Sequence, residues 1–176
     1  MRDFISSNYM KIALACPASL PATQFGGILF LSIHIAKRLS NEGHEMTIYT
    51  SDLDFANNAS TFNKKLPKKE KIGKYTIKRT HVWFSTFLFF VNPGMYKQMM
   101  NDDFDLIHTI GVRSFQSFIA TIVSKRKKIP LVIADQGGLT THPDLKNASI
   151  IKRILIQFQK PLIKFVINNA TRVIVA

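Results

Sequence analysis

Cysteine is almost missing from this sequence: Cys16 is the single one in 176 residues, so no intrachain disulfide can form. It sits in an apolar run and reads as a buried thiol, which suits a cytoplasmic, reducing compartment. Acidic residues are scarce as well, 11 against 24 lysines and arginines, for a net charge of +13. Long apolar runs are absent. The most apolar stretch, 82–91, has ten residues, whereas a membrane-crossing helix needs about 20. A transmembrane helix is therefore rejected. Residues 1–9 are polar and lack the apolar core of a secretory signal, so they read as a ragged leader before a start at Met10. No Cys or His pair has metal-ligand spacing, so no metal is expected.

What is present is ordinary for a folded protein. Apolar residues make up 46% and charged residues 20%, a balance that excludes a disordered chain and allows one domain with a real core. The basic charge is patchy. Residues 64–82 carry eight basic groups and one acidic, 121–128 carry four basic groups, and 151–176 carry five. Such patches favour an anionic partner: lipid headgroups, nucleic acid or a phosphorylated substrate. Solvated helix and loop faces are the plainer alternative.

Short β-rich runs alternate with helical ones, which argues for parallel βαβ units. The run 11–16 (KIALAC) is a first strand, and a loop with Pro17 and Pro21 follows it to Gly26-Gly27. From 28 to 42, Ile28, Leu31, Ile35 and Leu39 recur at helical spacing, with Gly43 placed as a C-terminal cap. Residues 45–50 (EMTIYT) form the second strand. Residues 51–73 are polar, lysine-rich and aperiodic, hence an exposed loop. Residues 75–82 alternate as a third strand with one wetted face. The aromatic run 83–91 reads as a buried helix or as an apolar wedge, and a short helix follows over 95–101. Residues 105–109, 130–134 and 172–176 are the remaining strands, separated by helices over 114–128 and 149–168, the latter kinked at Pro161. The expected fold class is α/β: a Rossmann-like doubly wound, mainly parallel six-stranded sheet, ordered 3-2-1-4-5-6, with helices on both faces. The sixth strand closes the sequence without a cap, so 10–176 reads as one lobe cut at a domain junction.

In such sheets ligands bind beyond the carboxyl ends of the strands, where strand order reverses. Gly26-Gly27 lies there, at a helix start whose free N–H groups suit phosphate or sugar hydroxyls; a simple turn before a helix is the alternative. A dinucleotide site fails, because the turn after the first strand reads Pro17-Ala18-Ser19-Leu20-Pro21, without the glycines of G-x-G-x-x-G. The Walker pattern is absent too.

The stretch MKIALACPASLPATQFGG (10–27), a helix, and LSNEGHEMTIYTSD (39–52) together resemble the opening of glycosyltransferase family 4 enzymes, of GT-B fold. FDLIHTIG (104–111) is similar to that family's fourth strand, IPLVIADQGG (129–138) to its fifth, and ATRVIVA (170–176) to the strand leading to the crossover between lobes. The resemblance covers nearly the whole chain from Met10 and rests on order and spacing, not on one motif.

It implies the N-terminal, acceptor-side lobe of a nucleotide-sugar-dependent, retaining hexosyltransferase acting on a saccharide or lipid-linked acceptor. The nucleotide sugar is a co-substrate, and neither a metal nor another cofactor is implied. Gly26 and Gly27 match the glycine loop that lies against the donor diphosphate and transferred sugar. His108 matches the first histidine of a His-x-His and is the candidate catalytic or acceptor contact; Ile110 replaces the second. Gln136-Gly137 stands where the family often has His-Gly, and Gln136 can bond a sugar hydroxyl but cannot shuttle protons. His142, in the same loop, is a further candidate for the cleft. A structural histidine is the alternative for His108, and a surface histidine for His142. The donor lobe's paired glutamates, with seven residues between them, are missing: only Glu42, Glu45 and Glu70 occur. A C-terminal donor lobe or a partner chain is therefore expected to supply the donor site, and this chain alone is expected to be inactive.

Lys64, Lys65, Lys68, Lys69 and Lys71 precede the aromatics Trp83, Phe84, Phe87, Phe89 and Phe90, a pairing that could dock at an anionic membrane surface. The expected location is cytoplasmic, peripheral at the inner membrane face. A non-catalytic module binding an anionic ligand or membrane is the competing reading. Nucleic acid is not expected as a partner, since no recognition helix or RNA-binding signature is present.

Overall fold

The computed structural model describes residues 9–55, 61–86, 89–135 and 150–175. Its centre is a sheet built from β1 (Lys11–Ala15), β2 (Glu45–Ser51), β3 (Lys69–Ile72), β4 (Tyr75–Thr80), β7 (Leu106–Ile110), β8 (Leu131–Asp135) and β9 (Arg172–Val175), in the order β3-β4-β2-β1-β7-β8-β9. All neighbours pair in parallel except β3 with β4. The six parallel strands thus lie in the expected order, third, second, first, fourth, fifth, sixth. The protein is α/β with a mostly parallel sheet, but of seven strands, not six.

The extra strand, β3, falls inside the segment expected to be a loop. Lys-Glu-Lys-Ile carries no apolar alternation because β3 is an edge strand, and lysines on an edge discourage pairing with other chains. Residues nearer β2 are also less loop-like than their polarity suggested. Leu53 bridges to Phe62 and is 1% exposed. The aromatic run forms neither a helix nor one wedge. β5 (Phe84–Thr86) and β6 (Phe89–Val91) pair as a short antiparallel ladder, with Phe90 buried and Trp83 and Phe84 exposed. Phe87 lies outside the described residues.

Helices cover both faces. Ala13 and Ala15 of β1 face a core shared with α2 (Gly94–Asn101), α3 (Phe115–Lys127) and α4 (Ile150–Asn168) through Met95, Met99, Ile119, Val123 and Val166. Ile12 and Leu14, pointing the other way as strand alternation requires, meet α1 (Gly27–Asn41). Ile28, Leu31, Ile35 and Leu39 pack partly against this core, but the fully buried stripe of α1 is Leu29, Ser32, Ala36 and Ser40. Small side chains there let the helix axis approach the sheet. The helix ends as expected: Gly43, at φ +102°, follows Glu42, and the N–H groups of Gly43 and His44 donate to the Ser40 and Leu39 carbonyls, an arrangement that glycine accommodates without strain. Pro161 lies within α4.

Candidate functional site

The chain runs outward from β1 through β2 to β4, then returns to lay β7 on the other side of β1, so strand order reverses between β1 and β7. The loop leaving β1 at this point is packed, not mobile in character: residues Cys16 to Ser19 are buried, and Ala18 and Ala22 join Leu29, Leu53, Val82 and Phe90 in a satellite core. Burial pushes the Cys16 thiol up to about 11, offset in part by bonds to Ser32, Thr50 and the Ala18 carbonyl. The thiol is inert structural mass, as the sequence suggested.

Gly26 holds the junction between this loop and α1. Its φ of +87° with ψ −148° is a conformation essentially confined to glycine. Gly27 is exposed, and among the described residues nothing comes within 4 Å of where a Cβ at Gly26 or Gly27 would sit. The space beside the start of α1 is therefore open, while the Leu29 and Phe30 N–H groups donate back to the Gly26 carbonyl. Gly111, ending β7 at φ +84°, brings the other side of the reversal close: a Cβ there would lie 3.7 Å from Ile28. The start of α1 and the carboxyl ends of β1 and β7 share one corner.

His108 stands lower. It lies opposite Leu14 of β1 and Val132 of β8, two positions before β7 ends at Ile110. By alternation it shares the α1 face with Leu106 and Ile110. Burial pushes its imidazole below the ordinary histidine value, and a backbone bond to Val132 offsets this only in part, so the ring is neutral at pH 7. Its Nε2 is buried and unpartnered. The ring is thus recessed in the sheet beneath the glycine corner. Gln136, Gly137 and His142 lie outside the described residues.

Two buried polar networks stiffen the same edge, and sequence reasoning missed both. Thr109 Oγ1 reaches the Ala15 carbonyl and Ser117, whose hydroxyl also reaches Ser114 and the Gly111 carbonyl. Gln116 Nε2 donates to the Phe90 carbonyl and Asn92 Oδ1, while Asn92 Nδ2 donates to the Thr50 carbonyl and Thr80 Oγ1. The available signal was the polar run of Ser114, Gln116, Ser117 and Thr121 within the helix expected over 114–128.

The lysine patch divides. Lys65, Lys69 and Lys71 lie on open surface, whereas Lys64 and Lys68 line a cavity of about 620 Å³ beside β4 and α2, together with Lys97, which the sequence did not single out. Neighbouring cations are already matched. Arg79, 3% exposed, donates to Glu70 and to the Leu20 and Pro67 carbonyls. Lys78 pairs with Asp102; burial pushes that carboxyl up, but Lys78, Tyr49 and Lys127 outweigh it and hold Asp102 below the ordinary value.

Among the described residues no cluster of three His, Cys, Asp or Glu could hold a metal, and no helix is long and apolar enough to cross a membrane. The chain matches no protein-family model and no curated protein.

Proposed function

We propose that this chain is the acceptor-side, Rossmann-like lobe of a two-lobed, retaining glycosyltransferase that takes a sugar from a nucleotide donor to a saccharide or lipid-linked acceptor. The observation that carries the reading is the open glycine corner at the reversal of strand order, where nothing stands beside Gly26 and Gly27 at the start of α1. There a donor diphosphate can sit against backbone N–H groups and the positive end of the helix. In the transfer, the bond from the anomeric carbon to the diphosphate breaks, the acceptor hydroxyl oxygen bonds to that carbon on the same face, and the hydroxyl proton leaves on the diphosphate. His108 stands beneath the corner as a neutral imidazole able to bond an acceptor hydroxyl. The family resemblance over residues 10–176 supports this assignment, and Ile110 in place of a second histidine sets it apart from the usual pattern. The nucleotide and most of the donor's contacts belong to a second lobe, on the same polypeptide or a partner chain, while the glycine corner meets the diphosphate.

The test is sugar transfer from a panel of nucleotide sugars. No transfer is expected from this chain alone, and transfer is expected once a donor lobe is joined to it. Robust transfer by the chain alone would overturn the division of labour. A second reading, a non-catalytic module docking on an anionic membrane at its cytoplasmic face, is favoured by exposed Trp83 (76%) and Phe84 (59%); co-sedimentation with phosphatidylserine vesicles, lost in Trp83→Ala/Phe84→Ala, would support it.

A further inference from the structure

The cavity beside β4 shares no lining residue with the glycine corner, one of its walls is α2, and the reading above gives it no task. Its walls are fixed. On one side, Asn63 ties the loop to β2: its backbone N–H donates to the Asp52 carbonyl, its Nδ2 to Asp54, and its Oδ1 accepts from the Lys65 N–H. Lys64 and Lys68 are thereby presented from an anchored segment. On the other side, Gly94, Lys97, Gln98 and Asn101 recur at helical spacing along one face of α2. Met95 and Met99 on the opposite face are buried in the core. Gly94 places the start of α2 beside the end of β4, where an added Cβ would stand in ordinary contact with Thr80 at 3.4 Å.

The chemistry of the lining is specific. Lys64, Lys68 and Lys97 line this one space, and none of them has a carboxylate partner among the described residues. The single acidic group in the lining, Asp52, is committed: it receives the Val82 N–H at 3.1 Å and holds His81 Nδ1 at 2.6 Å, fixing that ring's orientation. Trp83 lines the same space with its indole 76% exposed, offering a π face on which the C–H bonds of a sugar ring can lie. A bare phosphate would leave Trp83 unmatched, and a neutral sugar would leave the lysines unmatched.

We propose that this cavity binds a phosphorylated monosaccharide, with the phosphate among Lys64, Lys68 and Lys97 and the ring against Trp83. The inference stands on the cavity alone and does not depend on the glycosyltransferase reading.

Trp83 is the only tryptophan, so intrinsic fluorescence reports on this site directly. Titration of the full chain with glucose 6-phosphate is expected to change Trp83 emission saturably, half-complete at or below about 1 mM. Glucose and inorganic phosphate should each bind at least tenfold more weakly. Lys64→Ala and Lys97→Ala should each weaken glucose 6-phosphate about tenfold, the scale of one charge-assisted bond, while Lys37→Ala on α1 leaves it unchanged. Circular dichroism identifies variants that keep the fold. No saturable response, equal binding of phosphate and glucose 6-phosphate, tighter binding of adenosine monophosphate, or folded lysine variants that bind as the parent does would each overturn the proposal.

Discussion

The two openings at the carboxyl edge of the sheet are built on opposite plans. At the strand reversal, the corner around Gly26, Gly27 and Gly111 is made of backbone, stands on a buried loop, and has His108 recessed and held neutral. Beside β4, the cavity is made of long side chains with charges unmatched. The first should fail when backbone geometry or its buried support is disturbed. The second should lose ligand without losing stability.

The largest effect is expected where the two regions share a support. Gln116 holds both the Phe90 carbonyl and Asn92, and Asn92 in turn holds the ends of β2 and β4. Gln116→Ala strands these buried partners and opens space, at a cost of about 2–4 kcal/mol, read from the urea midpoint. An unchanged midpoint would show that the edge is not stiffened in this way.

Next comes the glycine corner itself. Gly26→Ala forces a side chain into a glycine-only conformation and should cost about 1–3 kcal/mol, lowering the melting temperature by about 2–4 °C per kcal/mol at this chain length. Its neighbour sharpens the point. Gly27 has ordinary helical geometry and open space around it, so Gly27→Ala should be neutral or stabilise by up to about 1 kcal/mol. Equal melting of the two variants would remove the argument for a strained junction.

His108 predicts a pH dependence. Its folded value lies below the unfolded one near 6.5, so the unfolded chain takes up the proton first. The stability that the neutral ring contributes is present above pH 6.5 and declines as pH falls below it. His108→Leu should flatten this decline, compared through urea midpoints at pH 7.5 and 5.5; the same loss in both proteins would contradict a buried, neutral ring. The smallest effect belongs to the cavity: Lys64→Ala and Lys97→Ala should each move stability by less than about 0.5 kcal/mol, in melts run alongside the Gly26 variant.

Legibility in the sequence followed the same division. The six parallel strands and their order could be read because each buried strand is a short apolar run and doubly wound connectivity leaves few arrangements. β3 was missed because an edge strand of Lys69, Glu70 and Lys71 has the composition of a loop, and β5 and β6 because three-residue strands carry no period. Gly26 was legible from its place before a helix, although its φ was not. His108 was placed on the right strand, but depth within a sheet depends on register, which sequence does not state. The cavity was half visible. Lys64 and Lys68 stood out in a basic run, while Lys97 and Gln98 meet them only because α2 folds back against β4.

The central claim is that the glycine corner, not the lysine cavity, receives a nucleotide sugar. Amide chemical shifts followed by NMR during titration with uridine diphosphate glucose test it most directly. The account predicts that the Gly27, Ile28 and Gly111 amides move while those of Lys97 and Asn101 stay in place. Shifts confined to α2, or none at the start of α1, would contradict it.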